Sequence, residues 1–130
     1  MTRKVIKTEN APEPIGPYNQ AIAASGQLVF VSGQIAIDPR INEIVYPEDV
    51  GKQTEQVMAN LEAILAAAGA GFADVVKTSI FLKNMDDFGI VNDIYGRYFD
   101  PKNAPARATV EVSNLPKGAL VEIECIAVLS

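Results

Sequence analysis

The chain has 130 residues, is 48% hydrophobic, carries a net charge of −5 and contains one cysteine, Cys125. That size makes a single domain, 1–130, with enough apolar material for a core without staples. The acidic balance speaks against nucleic-acid binding, the lack of any run of about 18 apolar residues against a membrane span, and the lone cysteine against a disulfide framework, so a cytoplasmic location is expected.

The alternating segment Met1 to Lys7 reads as a first strand over 3–7 and lacks the apolar centre of a signal peptide. Residues 9–17 hold Pro12, Pro14, Gly16 and Pro17, which predicts an ordered loop. Two strands are predicted at 18–24 and 27–33, joined as a hairpin at Ser25-Gly26. Asp38 to Glu43 reads as a turn, in which Asn42 tolerates the left-handed conformation.

Apolar spacing predicts a first helix over 49–68, with Val50, Thr54, Val57, Leu61, Ile64, Leu65 and Ala68 on its buried stripe. Asp49 is its expected N-cap, and Gly69 and Gly71 close its other end. A strand follows at 75–83. A second helix is expected over 86–99, capped by Asp86, with Phe88, Val91, Ile94, Tyr95 and Tyr98 inward. Pro101 and Pro105 then break the chain.

The last quarter reads as a β-hairpin turning at Leu115 to Ala119. Alternation places Arg107, Thr109 and Glu111 on one face, and Ala108, Val110 and Val112 on the other. On the final strand Val121, Ile123, Cys125, Ala127 and Leu129 share a face, with Glu122 and Glu124 opposite. Pairing of Val112 with Ala119 would set Thr109 opposite Glu122. A carboxylate in so apolar a run is costly unless paired or used, and an arginine there is a natural anion clamp.

The order β-β-β-α-β-α-β-β predicts an α+β fold: one mixed six-stranded sheet with both helices on one face. Its other face would be apolar, and oligomerisation is one way to bury it.

Without histidine there is no Ser-His-Asp triad, Cys-His pair or histidine metal ligand. No GxGxxG or P-loop appears. Catalysis has to come from Arg, Glu, Asp, Tyr, Ser, Thr, Asn or the backbone.

Motifs spread along the chain resemble the RidA/YjgF family of reactive-intermediate deaminases. They include Ile15-Gly16-Pro17-Tyr18 with Gln20-Ala21, Val31-Ser32-Gly33-Gln34, Asn60-Leu61, Ala67-Ala68-Gly69, Asp87-Phe88 with Asn92 and Tyr95, and Pro105-Ala106-Arg107. The resemblance implies a chorismate-mutase-like homotrimer with clefts between subunits. It implies hydrolysis of enamines and imines such as 2-aminoacrylate, released by pyridoxal-phosphate dehydratases, to 2-keto acids and ammonia (2-iminobutanoate/2-iminopropanoate deaminase). No cofactor or metal is expected.

Residue by residue, it makes Arg107 the substrate-carboxylate ligand, against a structural ion-pair role. It makes Glu122 the group that holds or activates water, against pairing with Lys117. Tyr18 becomes a pocket wall rather than edge packing, and Ser32 and Gly33 a ligand contact rather than a bulge. Asn92 and Phe88 join the cleft instead of surface and core. Thr109 stands where some members have cysteine, so thiol chemistry is excluded there. Alternatives are a non-enzymatic 2-keto acid-binding regulatory trimer, a ribonuclease or translation inhibitor, and a chaperone-like role.

Overall fold

The computed structural model describes residues 3–130; Met1 and Thr2 of the alternating N-terminal run lie outside the described residues. The elements are β1 (Arg3–Ile6), β2 (Ala21–Ala24), β3 (Gln27–Gln34), β4 (Ile37–Asp38), β5 (Glu43–Ile44), α1 (Val50–Ala67), β6 (Val75–Leu82), α2 (Phe88–Gly96), β7 (Ala106–Glu111) and β8 (Val121–Leu129). The α+β class holds. The single six-stranded sheet does not: among the described residues eight strands form three sheets, β1-β2, β3-β8-β6-β7 and β4-β5.

Helix α1 forms as its spacing requires. Val50, Thr54, Val57, Leu61 and Leu65 are buried, together with Gln53 and Met58. Ile64 and Ala68, expected on the stripe, are exposed, because the covered face is centred on Val57 and Leu61 and leaves that flank in solvent. Asp49 caps the helix by accepting a bond from Lys52 N at 3.0 Å. At its other end Gly69 is left-handed, and Ala70 N and Gly69 N donate to Leu65 O and Ala66 O. That double bond satisfies carbonyls the helix leaves open.

The expected cap Asp86 is corrected. A 3-10 turn, Met85–Asp87, precedes α2, and Asn84 caps it by accepting from Asp86 N at 2.9 Å.

Both predicted hairpins are also corrected. Ser25-Gly26 does turn the chain sharply, but β2 pairs with β1 (Arg3↔Ala24 to Ile6↔Ala21), while β3 pairs antiparallel with β8. Gly26 has φ +142, and a Cβ there would meet Leu129 O at 2.0 Å. The backbone of this corner therefore presses onto the end of β8.

In the C-terminal quarter, β7 pairs with β6 in parallel, and β8 lies on the far side of β6, antiparallel to it. The reason is the crossover. A strand, a helix and a returning strand make a β-α-β unit whose two strands run parallel. β6, α2 and β7 form such a unit, so β7 is bonded beside β6 before β8 begins.

Helix α1 packs on β3 and β8 and alongside α2. Between helices and sheet lie Val57, Met58, Leu61, Leu65, Ile80, Leu82, Val91, Tyr95, Val121 and Ile123, all at most 1% exposed. The opposite sheet face leaves Leu28, Phe30 and Val110 exposed by 56%, 70% and 44%. Asn42 takes the left-handed conformation expected of it, φ +56.

Candidate functional site

Arg107 enters from β7. The parallel register sets Arg107 beside Thr78 and Thr109 beside Ile80. Thr78 and Ile80 are buried on the helix-covered face, so Arg107 and Thr109 share that face.

Three rings surround the guanidinium carbon: Tyr18 at 5.0 Å, Tyr95 at 5.1 Å and Phe88 at 5.7 Å. Each is within cation–π range. No carboxylate among the described residues forms a salt bridge with Arg107. Glu111, on the same strand face, is engaged elsewhere, accepting from Met85 N at 2.8 Å. Burial lowers the Arg107 pKa, with Tyr95 and Tyr18 opposing that shift. A guanidinium nonetheless stays charged at neutral pH.

Two buried polar atoms here have no hydrogen-bond partner among the described residues, Arg107 Nη1 and Thr109 Oγ1. Buried polar groups in a folded chain are nearly always satisfied. Arg107 and Thr109 both line a small pocket of about 110 Å³, together with Ile15, Tyr18 and Phe88.

The proline-rich loop supplies the outer wall. Gln20 stitches it, accepting from Thr8 N at 2.7 Å and donating to Pro12 O at 2.7 Å. Asn19 ties it to the chain entering β7, donating to Ala104 O at 2.7 Å. Tyr18 Oη accepts from Ile15 N at 3.2 Å. The loop comes so close that a Cβ on Gly16 would stand 2.9 Å from Arg107 Nη2 and 3.3 Å from Asn92 Nδ2. A larger, open hollow of about 740 Å³ lies among Lys7, Thr8, Glu9, Glu13 and Gln20. It contains neither orphaned atom, so the smaller pocket is the chemically distinctive one.

Glu122 lies elsewhere. It pairs with Phe81, and Glu124 with Ser79, on the sheet face turned away from the helices. The β3–β8 register slips between Val31 and Gln34, a bulge at Ser32-Gly33. Glu122 sits on that bulge, and a Cβ on Gly33 would meet its Oε2 at 1.9 Å. The expected juxtaposition of Thr109 with Glu122 is therefore wrong: β6 separates their strands, and the two side chains leave opposite faces of the sheet.

The structure thus brings Tyr18, Phe88, Asn92, Arg107 and Thr109 to one place and Gly33 with Glu122 to another. Ser32 is exposed beside the second group. Glu122 forms no salt bridge with Lys117 among the described residues. Cys125 is buried on the helix side, away from Glu122, and burial raises its thiol pKa to about 11.

Tyr95, expected only in the core, is also part of the Arg107 site. The signal was available: Phe88, Asn92 and Tyr95 recur at i, i+4 and i+7 on one helix face. Among the described residues no group of three His, Cys, Asp or Glu side chains is placed to hold a metal ion. Nor is any helix among them long and apolar enough to cross a membrane.

Two helices over a mixed sheet, with an unpaired arginine and an orphaned threonine hydroxyl in a small cleft, define a domain equipped to hold a small anion. Residues 8–129 match the family described as Endoribonuclease L-PSP, and the chain belongs to this family, that of the RidA/YjgF proteins. It is 57% identical over 129 residues to the RutC family protein slr0709 of Synechocystis, covering 99% of this chain and 98% of that one. It is 48% identical to the rat 2-iminobutanoate/2-iminopropanoate deaminase, covering 97% and 90% of the two chains. It resembles the crystal structure of E. coli TdcF with bound serine at 42% identity and a TM-score of 0.73, covering 98% and 99%.

Proposed function

We propose that this protein hydrolyses short 2-imino acids, 2-iminopropanoate and 2-iminobutanoate, to the corresponding 2-keto acids and ammonia. The observation that carries the reading is the unpaired Arg107 with its partnerless Nη1 beside the partnerless Thr109 Oγ1. A carboxylate satisfies the first by charge-assisted bonding, and the polar end of the same ligand satisfies the second. The name of the rat relative and the serine bound in TdcF support a small amino-acid-like ligand.

In this reading the substrate carboxylate rests on Arg107, and its carbon chain lies along Ile15, Tyr18 and Phe88. Water adds to the imine carbon while the nitrogen takes up a proton. The resulting carbinolamine expels ammonia and leaves the keto acid. Glu122 holds the water and moves the protons. Such imines hydrolyse unaided, so positioning and modest acid–base help suffice, and no metal or organic cofactor is assigned.

Glu122 and Arg107 leave opposite sheet faces of one chain. The proposed catalytic unit is therefore an oligomer, a homotrimer, in which the Glu122-bearing face of one subunit meets the Arg107 pocket of the next. The exposed Leu28, Phe30 and Val110 supply an apolar surface for that contact. Asn92, beside Gly16 and Arg107, keeps its place in the cleft, and Ser32 and Gly33 adjoin the water site. A second reading, anion binding without turnover, draws on the same separation, because the Arg107 pocket is formed within one subunit. Nucleic acid does not suit the acidic chain.

The test couples a serine dehydratase to a keto-acid assay. Wild-type protein accelerates pyruvate release, Arg107→Ala abolishes the acceleration, and Glu122→Gln loses turnover while still binding pyruvate. A folded wild type that binds pyruvate without accelerating its release establishes the second reading instead.

A further inference from the structure

We propose that Tyr95 is a positioning residue for the arginine clamp, its ring locked beneath the guanidinium by a buried hydrogen bond to Thr78. The imine-deaminase reading enters only in naming the anion that Arg107 receives.

A buried arginine is ordinarily held by a carboxylate. That partner would also compete with an incoming anion. Here three ring faces hold the guanidinium instead, and they leave its charge available. Of the three, Tyr95 alone is fully buried, at 0% exposure. Phe99 packs against the same ring at 4.8 Å and in turn meets Phe72 at 5.3 Å. The ring is wedged from behind and presented to Arg107 in front.

Phenylalanine would offer the same π face and bury no polar atom. The hydroxyl therefore needs its own account. Tyr95 Oη and Thr78 Oγ1 are 2.7 Å apart, both residues are buried, and each is the other's partner. Thr78 is also the residue that the β6–β7 register places directly beside Arg107. One hydrogen bond thus ties the α2 ring to the strand position next to the clamp and fixes ring tilt relative to the guanidinium. Burial lifts the Tyr95 pKa to about 12, so the phenol stays neutral and adds no competing negative charge.

Three variants separate positioning from packing: Tyr95→Phe, Thr78→Val and the double substitution. Pyruvate affinity is read by calorimetry, folding by thermal melting, and kcat and KM by the coupled assay. Tyr95→Phe weakens pyruvate binding and raises KM roughly fivefold, the scale of one net hydrogen bond, with kcat unchanged. It also lowers the melting temperature, because the Thr78 hydroxyl is orphaned. The double variant removes both partners and recovers the melting temperature while the affinity stays low.

Affinity unchanged in Tyr95→Phe, or restored together with the melting temperature in the double variant, overturns the proposal and leaves Tyr95 a packing residue. Wild type that binds pyruvate but does not accelerate imine decay sinks the deaminase reading alone, and the affinities still decide the role of Tyr95. Wild type that binds no pyruvate overturns the proposal.

Discussion

Two glycines separate the two halves of the proposed chemistry. A methyl on Gly16 would press on Arg107 Nη2 and Asn92 Nδ2, the ends of side chains that can shift. Gly16→Ala is expected to raise KM severalfold and leave the melting temperature nearly unchanged, as is usual for a substitution that disturbs no core contact. A methyl on Gly33 would occupy the space of Glu122 Oε2. Gly33→Ala is expected to lower kcat at least tenfold and spare pyruvate affinity, about 1.4 kcal/mol or more of barrier. Parallel kinetics and calorimetry on the two variants check the split. Equal effects on binding and turnover from both glycines would refute two separable subsites.

Buried hydroxyl and thiol groups set the alkaline limit. Cys125 is raised from 9.0 to about 11, by burial first and by the charge of Glu124 second. Tyr95 is raised from 10.0 to about 12 by burial. Both folded-state values lie above the unfolded ones. Between about pH 9 and 12 the unfolded chain has released protons that the native chain still holds. Stability is therefore intact below pH 9 and falls as pH rises through that window. Urea midpoints measured from pH 7 to 11 are expected to stay level and then decline, with Cys125→Ala delaying the onset. A flat profile would contradict these environments.

Among the elements, α1 has the most self-sufficient design, with a capped start, a periodic face and a glycine-closed end. Asp49→Ala removes the acceptor for Lys52 N and is expected to cost about 1 kcal/mol, read from chemical denaturation. Its exposed position makes the loss specific to the cap. The β6-α2-β7 crossover matters more for the site. It puts Arg107 next to Thr78 and under α2, where Phe88, Asn92 and Tyr95 come down from successive turns. A hairpin of β7 and β8 would have put Arg107 and Glu122 together on one face. The crossover parts them and so makes a second subunit necessary to the proposed reaction.

For the whole molecule, the exposed apolar face formed by Leu28, Phe30 and Val110 is where that second subunit is expected to sit. Phe30→Asp is predicted to break the proposed trimer into monomers in sedimentation, abolish the proposed imine hydrolysis and leave an Arg107 pocket that still binds pyruvate. A Phe30→Asp protein that sediments like wild type would move the proposed contact off this face.

Much of this was legible in the residues themselves. The helix periods, the Asp49 cap, the Gly69 end, the left-handed Asn42 and the inward alternation of β8 follow from local rules, because each depends on neighbours within a turn or a strand. The motifs of the family, Pro105-Ala106-Arg107 above all, were likewise written in the chain. Strand partners were not. A strand of alternating residues states which side is apolar, but any edge of suitable length can accept its hydrogen bonds, and a β-α-β crossover competes with a hairpin for the same segments. Only the folded arrangement decided that β7 joins β6, that Arg107 is held by rings in place of a carboxylate, and that Glu122 rests on the Gly33 bulge of the other face. Those are contacts between residues far apart in sequence, and their selection depends on how the layers close around one core.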